Sequence, residues 1–228
     1  MLSTPTALSA GESNSPKSLT KPLTSQQSYD FKGIPLGISI DEFRRIKYPD
    51  ANDSQKIDII CTGDKVGGYV GNQDKVDLSI TPTEDEKAVG VVECAFFWGY
   101  EVQTLNVTGA HGKLDWTRFL FARAPVDETV RLYRITFEAD AQLTSFIVEA
   151  LTDKFGQPSD VQRGLVQNAF GAKFAHVQYM WSDGTSSITV ESPSFTTEKM
   201  TAVYSFDRLM AHVRSAIEAK RRSIKNRI

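Results

Sequence analysis

The stretch Phe31-Lys-Gly-Ile-Pro-Leu-Gly-Ile-Ser-Ile-Asp-Glu-Phe43 encodes a strand end, a tight turn and a doubly capped helix start. Ser39 at the N-cap and Glu42 three positions later form a capping box, in which each side chain satisfies a backbone N–H of the other residue. Ile38 before the cap and Phe43 within the first turn form a hydrophobic staple. Asp41 and Glu42 place negative charge at the positive end of the helix dipole, and Tyr48-Pro49 is expected to stop the helix after about two turns.

Downstream, β-type runs occur at 57–60, 76–80, 89–98, 102–107 and 116–122, separated by Gly, Asp and Pro as in hairpin-connected antiparallel strands. The run Arg131–Glu138 alternates, which predicts a half-buried strand with Tyr133, Ile135 and Phe137 on one face. Asp140 is expected to cap an amphipathic helix whose apolar face is Leu143, Phe146, Ile147, Ala150, Leu151 and Phe155, ended by Gly156 and Pro158 and laid across the sheet. Asp183-Gly184 suits a two-residue type I′ hairpin, with Tyr179 opposite Ile188 and Val177 opposite Val190. A strand over 202–206 leads into a last helix with Leu209, Met210, Val213 and Ile217 inward and Arg208, Arg214, Lys220, Arg221 and Arg222 outward. The fold class these patterns imply is α+β: antiparallel sheet or sheets, a short N-terminal helix, a longer amphipathic helix packed on the sheet, and a C-terminal helix.

The 228-residue chain, with 40% apolar and 24% charged residues, is long enough for a substantial core. Residues 1–28 are rich in Ser, Thr and Pro and lack aromatics, so they are expected to form a disordered leader or linker. Residues 29–228 are expected to form one α+β domain, with a division into lobes at about 29–128 and 129–228 as the alternative. A net charge of −2 gives no general attraction to nucleic acid or anionic lipid. No apolar run is long enough to span a bilayer. No basic n-region with an apolar h-region is present, so either the protein is cytosolic or an export signal lies upstream of Met1. The two cysteines, Cys61 and Cys94, each lie in an apolar strand-like run. They read either as buried thiols in a cytosolic core or, the favoured reading, as a bridge between neighbouring strands in an oxidising compartment.

Taken together, the motifs resemble a group of small bacterial envelope proteins. These begin with an F-[KR]-G-I-x-L-G turn and helix, carry paired cysteines, and later show a helix ending in K-[FY]-G-x-P and a Trp-containing hairpin. The corresponding residues here are Phe31 to Gly37, Cys61 and Cys94, Lys154-Phe-Gly-Gln-Pro158, and Trp181 with Ser187 to Val190. The resemblance implies this fold and a location in the periplasm or cell envelope. It supplies no catalytic residues.

Candidate chemistry is sparse. Of three histidines, His111 in a Gly-flanked loop with Asp115 nearby is the most site-like, against the alternative of an ordinary polar loop. His176 reads as a solvated strand residue and His212 as part of the basic terminal helix. The glycines of 63–71 lack the Gly-Lys-Ser/Thr of a phosphate loop. The segment from Asp50 starts like a calcium loop, but its sixth and twelfth positions are Gln55 and Cys61. No metal and no cofactor are expected. Residues 208–228 carry seven Lys or Arg against one acid, which allows peripheral contact with anionic lipid. The lack of interleaved aromatics argues against nucleic acid. The first expectation is therefore a non-enzymatic interaction module that binds another protein, in an inhibitor, immunity, accessory or assembly role. Its anchors would be drawn from Phe96, Phe97, Trp98, Tyr100 and Trp116 where these are exposed. The alternatives are a small hydrolase or ligand-binding enzyme with its site near His111, and a cytosolic protein whose terminal helix contacts nucleic acid.

Overall fold

The computed structural model describes residues 28–50, 57–64, 82–98, 101–107, 112–167, 170–194 and 196–225. The leader, the runs at 65–71 and 76–80, Tyr100 and His111 therefore lie outside the described residues. The elements in chain order are β1 (Asp30–Phe31), β2 (Ile34–Pro35), α1 (Ile40–Phe43), β3 (Asp58–Cys61), α2 (Glu84–Ala88), β4 (Val92–Trp98), β5 (Glu101–Val102), β6 (Trp116–Arg123) and β7 (Val130–Asp140). After a 3-10 turn at Ala141–Leu143 come α3 (Thr144–Phe155), β8 (Asp160–Gln167), β9 (Lys173–Ser182), β10 (Ser186–Ser192), β11 (Lys199–Phe206) and α4 (Asp207–Lys225). The fold is α+β. One antiparallel sheet of nine strands runs in the order β3-β4-β6-β7-β11-β10-β9-β8, with β5 on β4, so strands from both halves of the chain enter the same sheet.

The opening motif folds around its caps. Lys32 and Gly33 both take positive φ, 51° and 80°, as a two-residue turn between Phe31 and Ile34 requires. The Ser39–Glu42 capping box is present in both directions. The helix is a single turn, shorter than the two turns expected from Pro49 alone. What holds it is Phe43, whose ring lies 5.0 to 5.7 Å from those of Phe119, Phe121 and Phe96 and is fully buried.

The sheet is covered on both faces. The β1–β2 hairpin, α1 and α3 bury Phe31, Ile34, Phe137, Ile147, Leu151 and Tyr204 on one face, in the larger core. On the other face α4 packs Leu209, Met210 and Val213 against Leu120, Ala122 and Tyr133. Tyr133 is thus not on the face of Ile135 and Phe137. A register shift makes Leu120 oppose Arg134 and Phe121 oppose Leu132, leaving Tyr133 as the extra residue of a bulge that turns it toward α4.

Four further expectations are corrected. Asp140 makes no side-chain cap; it binds Lys199 instead, and the helix enters through the 3-10 turn. The strand expected over 102–107 is confined to Glu101–Val102, with an isolated bridge at Asn106, and the run from Val89 starts as a strand only at Val92 because α2 precedes it. The β9–β10 hairpin pairs Tyr179 with Val190 and Trp181 with Ile188, two residues away from the expected register. The carboxylate of Asp183 accepts from the backbone N–H of Thr185 and Ser186 and from the Ser186 hydroxyl, which builds a longer loop than a two-residue turn. A two-residue shift leaves every side chain on its original face, so the apolar pattern alone allowed either register.

The N-terminal turn, the end of α3 and the Trp181 hairpin meet in space. Gly156, with φ 88°, ends α3 and directs its carbonyl to the indole N–H of Trp181, which donates across 2.8 Å. Tyr29 packs edge-on against Phe155 with ring centroids 4.8 Å apart, and Lys154 pairs with Asp30. The helix end, the Trp hairpin and the N-terminal turn therefore form one structural unit.

Candidate functional site

Of the expected site residues, Asp115 is exposed and is held with Asp140 by the Lys199 ammonium, at 2.9 and 2.7 Å. These two carboxylates hold the Lys199 ammonium well above its usual range. Asp115 therefore sits in a surface ion network, and its expected partner His111 is outside the described residues. His176 is half-buried and pairs with Glu191 at 3.0 Å. Among the described residues no cluster of three or more His, Cys, Asp or Glu could hold a metal ion.

The expected aromatic anchors separate. Phe96 is 2% exposed, in edge contact with Phe119 and Tyr48, and so belongs to the core rather than to a surface. The strand alternation that places Phe96 beneath α1 leaves Phe97 half-buried on the opposite face. Trp116 is also half-buried, its indole N–H donating to Glu138. The side chain of Trp98 is outside the described residues.

Cys61 and Cys94 face each other across β3 and β4 with Cα atoms 4.0 Å apart and sulfurs at bonding distance. Flanking them, Thr62 donates its N–H to the Glu93 carbonyl, so the cysteines occupy the closely spaced position of the ladder. The cystine therefore ties β3 to the sheet, a geometry compatible with an oxidising compartment. Among the described residues no helix is long and apolar enough to cross a membrane.

Beside α4 the sheet face is open, and the groove there has a volume of about 780 Å³. Its floor presents Thr136, Thr189, Thr201, Ser187 and Ser205 from β7, β10 and β11. One wall is the helical stripe Asp207, Met210, Ala211 and Arg214, which the i, i+3, i+4, i+7 spacing brings to one side of α4. Arg118 and Arg134 close one end.

The charged groups beneath that end are paired. Glu93, fully buried, accepts two hydrogen bonds from Arg118, at 2.9 and 2.7 Å. Burial pushes its carboxyl above the ordinary carboxylate range against the pull of Arg118. Arg118 is in turn held above its usual value by its bonds to Glu93. Glu86 receives Arg134 and the Tyr133 hydroxyl while serving as the third residue of a second capping box, with Thr83. Burial alone would raise its carboxyl, but the Thr83 backbone N–H, the Arg134 charge and the Thr83 hydroxyl together hold it below the ordinary range. Both guanidiniums are thereby paired with buried carboxylates.

The polar positions of this face were not singled out from the sequence. A glutamate inside the apolar run Val-Val-Glu93-Cys-Ala-Phe-Phe is a readable signal, since a carboxylate there needs a buried cation. Which arginine supplies it depends on strand order. No protein-family model, no curated protein and no solved structure matches this chain.

Proposed function

We propose that this protein is a non-enzymatic interaction module of the bacterial cell envelope that takes an extended segment of a partner protein onto the free edge of β8. The observation that carries the reading is the edge itself. β8 has eight residues and pairs only with β9, so its outer backbone groups have no partner among the described residues. Edge strands are ordinarily blunted by proline, lysine or bulges. β8 has none of these, and its only charges, Asp160 and Arg163, are of opposite sign. At the outer end of the hairpin, Leu165 is 68% exposed and Phe170 96% exposed. An open edge supplies main-chain hydrogen bonds and flanking apolar side chains supply selectivity, which is the chemistry of strand addition.

The envelope location rests on the cystine, because cytosolic thiols are kept reduced. A photo-crosslinking side chain at position 165 in intact cells tests the proposal, with one at exposed Glu218 as control. A discrete adduct specific to position 165, lost on Phe170→Ser and identified as one partner whose peptide binds the purified chain, is expected. Absence of an adduct, an adduct indifferent to Phe170→Ser, or an adduct with a second copy of this chain overturns it.

A further inference from the structure

We propose that the groove between α4 and the sheet is a binding site for a neutral, hydroxyl-rich ligand, a short oligosaccharide. Its volume of about 780 Å³ falls within the usual range for small-molecule sites, roughly 300–1,000 Å³. The floor sets the hydroxyls of β7, β10 and β11 around Val203, a mixed surface, and each hydroxyl both donates and accepts, as sugar hydroxyls do.

Charge balance selects against an anion. Arg118 and Arg134 are matched by Glu93 and Glu86, and the lining also holds Arg214, Asp207 and Glu191, the last paired with His176. The charges of Arg118 and Arg134 are thereby balanced, and Asp207 and Glu191 supply acceptors. Asp207 is already oriented by the Ser187 hydroxyl at 2.6 Å. Trp116 lines the same groove with its indole N–H held by Glu138, and an aromatic ring is the kind of group that covers the apolar C–H face of a sugar.

A second observation points the same way. Four side-chain polar atoms among the described residues are buried without a hydrogen-bond partner, and three of them, Arg134 Nε, Ser194 Oγ and Thr201 Oγ1, belong to residues lining this groove. Thr201 itself is only 9% exposed. Native structures leave few such groups, and although these atoms are themselves closed to solvent, their concentration here shows that polar residues build the walls of this groove.

The test uses the full chain labelled with ¹⁵N and a panel of neutral di- to tetrasaccharides, with sulfated and carboxylated counterparts and inorganic phosphate as controls. A neutral oligosaccharide is expected to shift the resonances of Thr136, Thr189 and Thr201, with an affinity reduced roughly tenfold or more by Trp116→Ala and by Thr189→Val. If Trp116→Ala does not fold, Thr189→Val, a change on the open floor, carries the test. The proposal is overturned if no neutral member moves these resonances at millimolar concentration, if only anionic members do, or if binding survives both variants. Each outcome is independent of partner capture at β8, which lies at the sheet edge.

Discussion

Glu86 caps α2 through Thr83, binds Arg134 and accepts from Tyr133, so one carboxylate fixes a helix and the bulge of β7 together. Its carboxyl lies below the ordinary 4.5 in the folded state. The stability it contributes is therefore present above that ordinary value and is lost as pH falls through the lower folded value. Glu93 acts with the opposite sign. Its raised carboxyl favours the fold when protonated, and that contribution is lost as pH rises from its ordinary value through the higher folded one. Glu86→Gln is thus expected to reduce the rise of stability with pH below about 4.5, as read from denaturant midpoints; a variant whose acid limb parallels the parent would show that Glu86 is not strongly perturbed. Trp181, 1% exposed and bonded to Gly156, is the second residue on which two elements depend. Trp181→Phe keeps an aromatic body and removes the donor, at an expected cost of about 1–3 kcal/mol by chemical denaturation.

At the scale of elements, α1 and β3 are stabilised in contrasting ways. The single turn of α1 is specified by local caps, so Ser39→Ala is expected to cost about 1 kcal/mol in stability without disturbing the β8–β9 hairpin, as amide chemical shifts would show. β3 lies at the sheet edge with only four residues, and its attachment relies on the bridge to Cys94. With the cysteines 33 positions apart, closing that loop removes denatured-state entropy equivalent to roughly 3–4 kcal/mol. Stability of the parent with and without reductant, beside Cys61→Ser/Cys94→Ser, measures it; an unchanged midpoint would mean that the edge strand is held by its ladder alone. Both capping boxes were written in the sequence in the same form, Ser39-x-x-Glu42 and Thr83-x-x-Glu86. The second is hard to read from sequence because a five-residue helix between two strand-like runs leaves no periodicity to accompany its caps.

In the whole molecule, the face beneath α4 is where the buried charges are gathered, and their energetics are coupled. Arg118→Met alone strands a fully buried carboxylate and is expected to cost about 3–5 kcal/mol, whereas Arg118→Met with Glu93→Leu is expected to be near neutral. A double-mutant cycle on denaturant midpoints decides this, and simple additivity would exclude the coupling. Local patterning determined the capped turns, the amphipathic α3, the apolar stripe of α4 and the antiparallel α+β class, because these follow from contacts within a few residues or from a strict repeat. It placed Cys61 and Cys94 in strand-like runs without showing that the runs pair. It also placed Phe96 with surface candidates, although an aromatic in a two-sided apolar strand can face either way. Only the tertiary structure decided the hairpin register, which an even shift hides from the pattern. The same holds for the face of Tyr133, which a single inserted residue reverses. The pairing of Glu93 with Arg118 and the composition of the α4 groove likewise join residues far apart in the chain, and their proximity is set by strand order rather than by sequence spacing.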